Sequence, residues 1–319
     1  MFGSDKIAVE TLSCLHREKQ LVEHLELVCP PDRPSGKRGL KLLPVDTKIY
    51  AQEHNIPVHS PDIGTNFRLK NWNAPKCSIH SKPFDIGIVV SFGYFIPRRI
   101  IDQFELGMIN MHPSLLPRYR GSSPIQYSIL NGDETTGISV IEVSPTKFDS
   151  GRILYQKECP IEDDLTFETL STKLAKLGSN AIIHTLSNIL TLRKNAKEQS
   201  EVAKSESSKA PLIHKDQGRI DWSSSAQDIY IQFRAFHGCV PVFTTLHGKR
   251  LRIFEMDPPQ ISNSSVSDSA FGSIRYEKST QSFCVICGCH SEIGIRSLQI
   301  EGKTRTSPKD LFNGFSKDD

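Results

Sequence analysis

The sequence of 319 residues has no apolar run close to the roughly 20 residues that a membrane-spanning helix needs, so we expect no membrane role. Its formal net charge is only +3, so any binding of nucleic acid must come from local clusters of basic residues. No Gly-x-Gly-x-x-Gly motif follows a predicted strand, which argues against a nicotinamide dehydrogenase. The remaining composition is that of a globular protein of about two domains.

The eight cysteines lack the two matched pairs that a tetrahedral zinc site commonly uses. Three of them, Cys284, Cys287 and Cys289, lie close together, but they contain a single Cys-x-x-Cys spacing. The alternating apolar residues around them predict a β-hairpin with a glycine in its turn. The other five are scattered, which is typical of free thiols in a reducing compartment.

The N-terminal residues lack an apolar run before Gly3, a signal-peptide core and an arginine-rich leader. A helical pattern begins almost at once, with apolar residues at Ile7, Val9, Leu12 and Leu15. In an α/β domain the first helix normally follows the first strand. We therefore expect the sheet of this chain to lack its first strand.

The first part of the chain alternates predicted strands and helices, which indicates an α/β fold with a mostly parallel, Rossmann-like sheet. Residues 84–91 form the clearest buried strand, and a short strand over 108–111 follows. Further strands are predicted over 137–143 and 153–160, and a long helix over 166–192. Because sites in such sheets lie at the carboxyl ends of the strands, residues just after position 109 are candidates for chemistry.

A polar stretch over 195–210 predicts a linker, because it has almost nothing to bury. After it come a predicted helix over 225–236 and short strands over 242–246, 250–254, 273–276, 282–287 and 294–300. Short strands with turns suggest a small OB-like β-barrel. We therefore expect a catalytic domain over 1–193, a linker over 194–212 and a C-terminal OB-like domain over 213–319.

Asn110, His112 and Asp149 are the candidate catalytic residues. Alternate positions of a strand leave the same face, so the Asn110 and His112 side chains should lie together. An amide can donate to a developing oxyanion, an imidazole can move a proton, and a carboxylate can orient and stabilise the charged imidazole. This set suits transfer of an acyl or formyl group to an amine. A lone histidine at a strand end and an aspartate in a turn are also common structural features, and the sequence does not show that the two meet.

The run Asn-x-His-Pro-Ser-Leu-Leu-Pro-x-Tyr-Arg-Gly over 110–121, followed by Asp-Ser-Gly over 149–151, resembles the folate-dependent formyltransferases. The resemblance extends over residues 2–312 and includes Phe2–Asp5, Gly121–Gln126, Gly132–Gly137 and Ile220–Trp222. The basic loop after Pro31 resembles the loop with which the tRNA-formylating members reach the acceptor stem. One residue is added before Asp149 relative to bacterial members, a form that resembles mitochondrial ones.

The resemblance implies 10-formyltetrahydrofolate as co-substrate, methionyl initiator tRNA as partner, no metal, and catalysis by Asn110, His112 and Asp149. It also implies that the protein is a monomer in the mitochondrial matrix and that its reaction serves the initiation of translation there. The implied folate pocket consists of Val90, Ser91, Phe92, Gly93, Tyr94, Ile96, Ser114, Leu115, Leu116 and Pro117. The implied tRNA contacts are Arg33, Lys37, Arg38 and Lys41.

Two other functions stay open at this point. One is a folate-dependent formyltransferase that acts on a small amine, such as a glycinamide ribonucleotide or an amino-sugar nucleotide. The other is a non-catalytic RNA-binding protein on the same scaffold, which would follow if a missing first strand disabled the catalytic domain.

Overall fold

The computed structural model describes residues 1–35, 41–61, 69, 72–199, 207–259, 270–289 and 291–313. Contacts along the chain divide it into two units. Unit 1 comprises Met1–Pro124, Thr135–Pro160 and Ser171–Pro211, and unit 2 comprises Ile125–Glu134, Ile161–Leu170 and Leu212–Asp319. In the described part of the chain, no helix is both long and apolar enough to cross a membrane.

A seven-stranded sheet forms the centre of unit 1, with strand order β5-β2-β1-β6-β7-β8-β9. The first five strands in that order run parallel, and β8 and β9 each pair antiparallel with the strand before them. The predicted α/β fold is confirmed. The strands of the sheet are β1 Phe2–Gly3, β2 Leu27–Val28, β5 Val58–His59, β6 Gly87–Val90, β7 Met108–His112, β8 Thr135–Glu142 and β9 Ile153–Pro160. A separate antiparallel hairpin joins β3 Arg33–Ser35 and β4 Lys41–Leu43.

The prediction that the sheet lacks its first strand is wrong. Phe2 pairs in parallel with Val28 on one side and Val89 on the other, so two residues complete the middle of the sheet. Two residues are enough because β2, on one side, has only two residues itself. The Phe2 ring is 1% exposed and packs edge-on against Phe92, with the ring centroids 5.3 Å apart. The short strand is therefore anchored mainly by the apolar core.

The described helices of unit 1 are α1 Lys6–Arg17, α2 Asp46–Glu53, α3 Arg98–Ile101, most of α5 Phe167–Ser187, and α6 Ile189–Lys194. Helix α4, Pro124–Leu130, lies almost entirely in a segment of unit 2. Helix α1 begins at Asp5, whose carboxylate accepts a hydrogen bond from the Ala8 N–H at 3.0 Å. The single long helix predicted over 166–192 is in fact two. It breaks at Asn188, whose side-chain amide donates to the His184 carbonyl at 2.9 Å.

Unit 2 contains a five-stranded antiparallel sheet in the order β10-β11-β14-β13-β12. The strands are β10 Val242–Leu246, β11 Lys249–Met256, β12 Ile274–Glu277, β13 Ser282–Ile286 and β14 Glu292–Ile300. The hairpin predicted around Cys284 is confirmed, with Cys284 opposite Gly294. Helix α7, Ala226–Phe236, precedes the sheet, and α8, Pro308–Asn313, follows it. The predicted small β domain is thus present.

Two segments from the middle of the chain belong to unit 2 as well. Arg234 of α7 donates from Nε to the Leu165 carbonyl at 2.9 Å and from Nη2 to the Glu162 carbonyl at 3.0 Å. Local spacing carried no sign of these bonds, which span about seventy positions. The boundaries 1–193, 194–212 and 213–319 stay a prediction, and part of the predicted linker, residues 200–206, lies outside the described residues.

Candidate active site

Strand β7 carries Asn110 and His112 at its carboxyl end, as the sequence predicted. Val89 of β6 is paired with Asn110, and Ser139 of β8 is paired with His112. The His112 side chain is almost fully buried, and Asn110 is half-buried. Among the described residues, no group hydrogen-bonds to the Asn110 side-chain amide, so this amide is available to a ligand.

The structure brings His112 and Asp149 together. Nδ1 of His112 lies 3.5 Å from Oδ1 of Asp149, and their side chains are 6% and 13% exposed. On its other side, Nε2 of His112 lies 2.9 Å from the carbonyl oxygen of Tyr119. A carbonyl oxygen can only accept, so Nε2 is the protonated nitrogen. In the neutral ring, Nδ1 then has a free lone pair, and a carboxylate stands beside it to stabilise a proton that arrives there.

Asp149 is held by the backbone of the loop that follows His112. Its second oxygen, Oδ2, accepts a hydrogen bond from the Gly121 N–H at 3.0 Å. Asp149 itself has φ +51°, in the left-handed region that aspartate tolerates better than most residues. Gly121 has φ +127°, and a Cβ there would lie 2.5 Å from the Ala210 carbonyl oxygen. Only glycine fits at this position, and the Asp149 carboxylate depends on its N–H.

Gln199 connects the loop that follows His112 with the loop that contains Asp149. The sequence analysis did not identify it as a site residue. Its side chain is 4% exposed. Oε1 accepts from Nε and Nη2 of Arg120 at 2.9 and 2.6 Å, and Nε2 donates to the Asp149 and Gly151 carbonyls at 3.0 and 2.7 Å. All four hydrogen-bonding positions of the buried amide are therefore satisfied. In the sequence, Gln199 is one polar residue within the polar stretch over 195–210, and that stretch predicted a linker rather than part of a site.

Residues 208–210 run along the loop that follows His112. Arg120 pairs in parallel with Lys209, through Arg120 N–H to the Ser208 carbonyl at 3.0 Å and Ala210 N–H to the Arg120 carbonyl at 2.8 Å. The Ser208 hydroxyl accepts from the Tyr119 N–H at 2.9 Å. Tyr119 has φ +61°, a costly conformation for a bulky residue, which persists because its surroundings hold it. Part of the predicted linker is thus a support for the site.

The predicted folate residues divide into two groups. Phe92 and Ile96 belong to the core around Phe2, and Val90 is fully buried as well, so these side chains shape the site from behind. The turn after β6 is more exposed at Ser91 and Gly93, which have φ +49° and +77°, and at Tyr94. This turn follows the carboxyl end of β6, the strand that pairs with β7 beside Asn110.

The remaining predicted folate residues form a braced loop after His112. The Ser114 hydroxyl donates to the Arg118 carbonyl at 2.7 Å. The Ser139 hydroxyl accepts from the Leu116 N–H at 2.9 Å and donates to the Ser114 carbonyl at 2.7 Å. Ser114, Leu116 and Pro117 are buried and Leu115 is half-buried, so this loop offers a firm wall.

Of the predicted tRNA contacts, Arg33 lies in β3 and Lys41 in β4, on the hairpin of unit 1. Lys37 and Arg38 lie outside the described residues. The hairpin was not predicted, because the sequence of this region is dominated by proline, glycine and basic residues.

Comparison with known proteins shows the family to which the chain belongs. Residues 1–186 match the family described as Formyl transferase, and residues 212–316 match the Formyl transferase, C-terminal domain. The chain is 34% identical over 316 residues to the methionyl-tRNA formyltransferase of Synechococcus sp. (strain JA-2-3B'a(2-13)), covering 98% of this chain and 94% of that protein. It is 33% identical to the mitochondrial methionyl-tRNA formyltransferase of Bos taurus, covering 98% and 76%.

A solved structure shows a similar fold. WlaRD, a sugar 3N-formyl transferase solved with dTDP and 5-N-formyl-THF, superposes with a TM-score of 0.59 at 18% identity, covering 95% of this chain and 97% of that one. At that identity the likeness concerns the fold alone.

Proposed function

This chain belongs to the formyl transferase family and is an enzyme of that family, and from that premise we propose that it transfers the formyl group of 10-formyltetrahydrofolate to the α-amino group of methionyl initiator tRNA. The observation that carries the proposal is the pairing of His112 with Asp149 at the end of β7, with Asn110 two residues away. The acceptor is supported by relatives named for methionyl-tRNA that are similar over 98% of the chain.

His112 manages the proton of the reaction. The attacking amine must lose a proton as its nitrogen bonds to the formyl carbon. Because Nε2 donates to the Tyr119 carbonyl, Nδ1 is the nitrogen that takes up this proton. The Asp149 carboxylate, 3.5 Å away, stabilises the positive charge that results. The proton can then pass to the departing folate nitrogen, so no net proton is left on the enzyme.

Asn110 stabilises the negative charge that develops on the formyl oxygen. Its side chain leaves the same face of β7 as His112. A donor held in place before the reaction stabilises an oxyanion without reorganising, and losing one such donor typically costs about 10²- to 10³-fold in turnover.

The folate pocket is proposed between the turn after β6 and the braced loop after His112. The donor supplies the formyl group and leaves as tetrahydrofolate. Ser91, Gly93 and Tyr94 would meet it from the turn, with the buried side chains of Val90, Phe92 and Ile96 behind them. Leu115, Leu116 and Pro117, with Ser114 bracing them, would form the other wall. Burial raises the pKa of the Asp5 carboxyl, whose side chain bonds to Ser91 at this end of the sheet.

The tRNA contacts and the compartment are part of the same proposal. Arg33, Lys37, Arg38 and Lys41 would pair with phosphates, which position RNA without reading its sequence. We place the enzyme in the mitochondrial matrix, with the bovine relative as support. The cyanobacterial relative is equally similar, so the compartment is tested directly by locating the tagged protein in its own cells.

The test compares the parent enzyme with His112→Ala and with His54→Ala, an exposed histidine on another part of unit 1. With formyl donor and methionyl-tRNA, the parent and His54→Ala should form formyl-methionyl-tRNA. His112→Ala should be slower by roughly 10²-fold or more with an unchanged tRNA KM. Normal turnover in His112→Ala would remove this residue from the mechanism.

The acceptor is decided by a second arm of the same assay. Incorporation of formyl should disappear when the acceptor is treated with RNase. Transfer that survives RNase and proceeds on a small amine would replace tRNA by a small-molecule acceptor. No transfer to any acceptor, with tRNA still bound and no thermal stabilisation by a folate analogue, would identify a binding protein.

A further inference from the structure

Three metal-ligating side chains of unit 1 converge at a place that the formyl transfer does not use. They are His24, Cys77 and His80, and one ligand atom from each lies within 4.8 Å of those of the other two. The His24 and His80 rings meet at a centroid distance of 5.0 Å. Cys77 is 2% exposed, His24 is half-buried and His80 is exposed, so the cluster has a buried sulfur and an open side.

The turn that carries two of these residues has a fixed shape. Cys77 and His80 are spaced as Cys-x-x-His. The Cys77 N–H donates to the Lys82 carbonyl at 2.9 Å, and the Ser81 N–H donates to the Cys77 carbonyl at 2.8 Å. These two bonds close the turn from both directions. Short spacings of this kind are typical of the ligand pairs of zinc sites.

A buried carboxylate ties this turn to the segment that carries the third residue. Oε1 of Glu26 accepts from the Ser78 N–H at 2.6 Å, and Glu26 lies two positions after His24. His24 is therefore kept near the turn before any ion binds. Such support by neighbouring hydrogen bonds is what orients the ligands of established metal sites.

We propose that His24, Cys77 and His80 bind one Zn²⁺, with water as the fourth ligand. One sulfur and two nitrogens suit a borderline-soft ion. The Cys77 thiol would lose its proton to solvent on binding. The ligand atoms must close by roughly 1 Å to reach zinc bond lengths of about 2.0 to 2.3 Å. The exposed His80 ring can do this, giving up at most a 3.2 Å hydrogen bond from the Lys82 N–H to its Nδ1.

The ion would act as a clip, separate from catalysis. His24 and His80 line a cavity of about 390 Å³ together with Ile86 and Leu106, which precede β6 and β7. These strands carry the formyl-transfer residues at their other, carboxyl ends. We therefore expect the clip to hold residues 72–82 against residues 21–26 without touching the reaction.

The test uses Co²⁺, whose colour reports a bound thiolate, on the full chain stripped of metal by a chelator. The parent should bind one Co²⁺ with a thiolate charge-transfer band, and added Zn²⁺ should bleach it. Cys77→Ser should abolish the band, and His80→Ala should weaken binding by roughly 100-fold or more, since losing even a supporting residue costs about 10- to 100-fold. Turnover in chelator should match that of the untreated enzyme.

The matched controls are Cys239→Ser and Cys289→Ser, which remove exposed thiols elsewhere and should leave the band intact. Zn²⁺ should also raise the melting temperature of the parent but not of His80→Ala, a surface change that should fold even if Cys77→Ser does not. A parent without the band at one equivalent of Co²⁺, or a band that survives in His80→Ala at full strength, would overturn the proposal.

Discussion

In the described part of unit 1, the half-buried carboxylate of Asp149 and the buried carboxylate of Glu26 each lie between an imidazole and a backbone N–H. At the carboxyl end of β7, Asp149 lies 3.5 Å from Nδ1 of His112 and accepts from the Gly121 N–H at 3.0 Å. Beside β2, Glu26 lies 2.6 Å from Nε2 of His59 and accepts from the Ser78 N–H, also at 2.6 Å. The same three chemical groups occur in both places.

The difference lies in how tightly the groups are bonded and in what stands next to them. Burial by itself would raise the pKa of Glu26, but the Ser78 and His59 hydrogen bonds outweigh it and lower the pKa. Each Glu26 carboxylate oxygen therefore has a short hydrogen bond, one with His59 and one with the Ser78 N–H. At Asp149 the distance to the imidazole is longer, 3.5 Å against 2.6 Å at Glu26. Nδ1 of His112 can take up a proton there, and Asn110 lies on the same strand as His112. The comparison indicates that a loose pair beside a free amide is suited to chemistry, whereas a tight pair stabilises the fold.

The largest effect that tests this comparison is on turnover. Asp149→Asn should lower kcat by about 10²-fold or more, equivalent to about 2.7 kcal/mol, because an amide cannot stabilise the charged His112 ring. Its oxygen can still accept from the Gly121 N–H, so the loop should keep its shape. The matched variant Glu26→Gln should keep kcat within about twofold of the parent. Steady-state kinetics with methionyl-tRNA measure kcat for both variants. Equal losses of kcat would contradict the distinction between a catalytic pair at Asp149 and a stabilising pair at Glu26.

The next largest effect is on stability, and here Glu26 rather than Asp149 is the residue whose substitution has the effect. Glu26→Gln should lower the free energy of unfolding at pH 7 by about 2 kcal/mol, because hydrogen bonds to a charged group are lost. A carboxyl whose pKa is lowered on folding stabilises the protein above its unfolded pKa, near 4.3 for glutamate. That contribution disappears as pH falls through the folded pKa.

The cost of Glu26→Gln should therefore be full above about pH 5 and shrink below it. Urea unfolding of parent and variant at several pH values, in chelator, measures the difference. Asp149→Asn serves as the comparison at the same pH values. A cost of Glu26→Gln that stays constant down to pH 3 would show that the charge of Glu26 is not what stabilises the fold.

The smallest effect concerns Gln199, which positions the Asp149 loop without touching the reacting groups. Gln199→Met keeps the shape of the side chain but removes its four hydrogen bonds. We expect kcat to fall by roughly tenfold, about 1.4 kcal/mol, with the tRNA KM unchanged, because Asp149 would no longer be held at its distance from His112.

Gln103→Met is the control for Gln199→Met. The Gln103 amide also bridges backbone groups, accepting from the Ala74 N–H and donating to the Arg99 carbonyl, both at 2.9 Å, and it is not among the catalytic or folate residues. Its variant should keep the parental kcat. Equal falls in kcat for the two glutamines would reduce the role of Gln199 to general stability.

The strand that carries Asn110 and His112 could be predicted from the sequence for a local reason. The side-chain period of a strand is two, so Asn110 and His112 had to share a face once the apolar run before them was identified as a strand. The helix predicted over 225–236 is confirmed as α7, Ala226–Phe236. The short first strand was missed because two residues are too few to show a pattern, and its stability comes from Phe2 in the core.

By itself, the sequence determined the α/β class of the first unit and the small β domain of the second, and it singled out the residues that we propose as catalytic, since each follows from spacing over a few residues. Only the tertiary structure decided that Nδ1 of His112 faces Asp149 and that the Gly121 N–H holds the Asp149 carboxylate. It also decided that Gln199 holds the backbone carbonyl of Asp149, and that Ser208 and Ala210 brace the loop after His112. These bonds join residues up to about ninety positions apart. Their formation depends on where the folded chain crosses itself, and no local pattern carries that information.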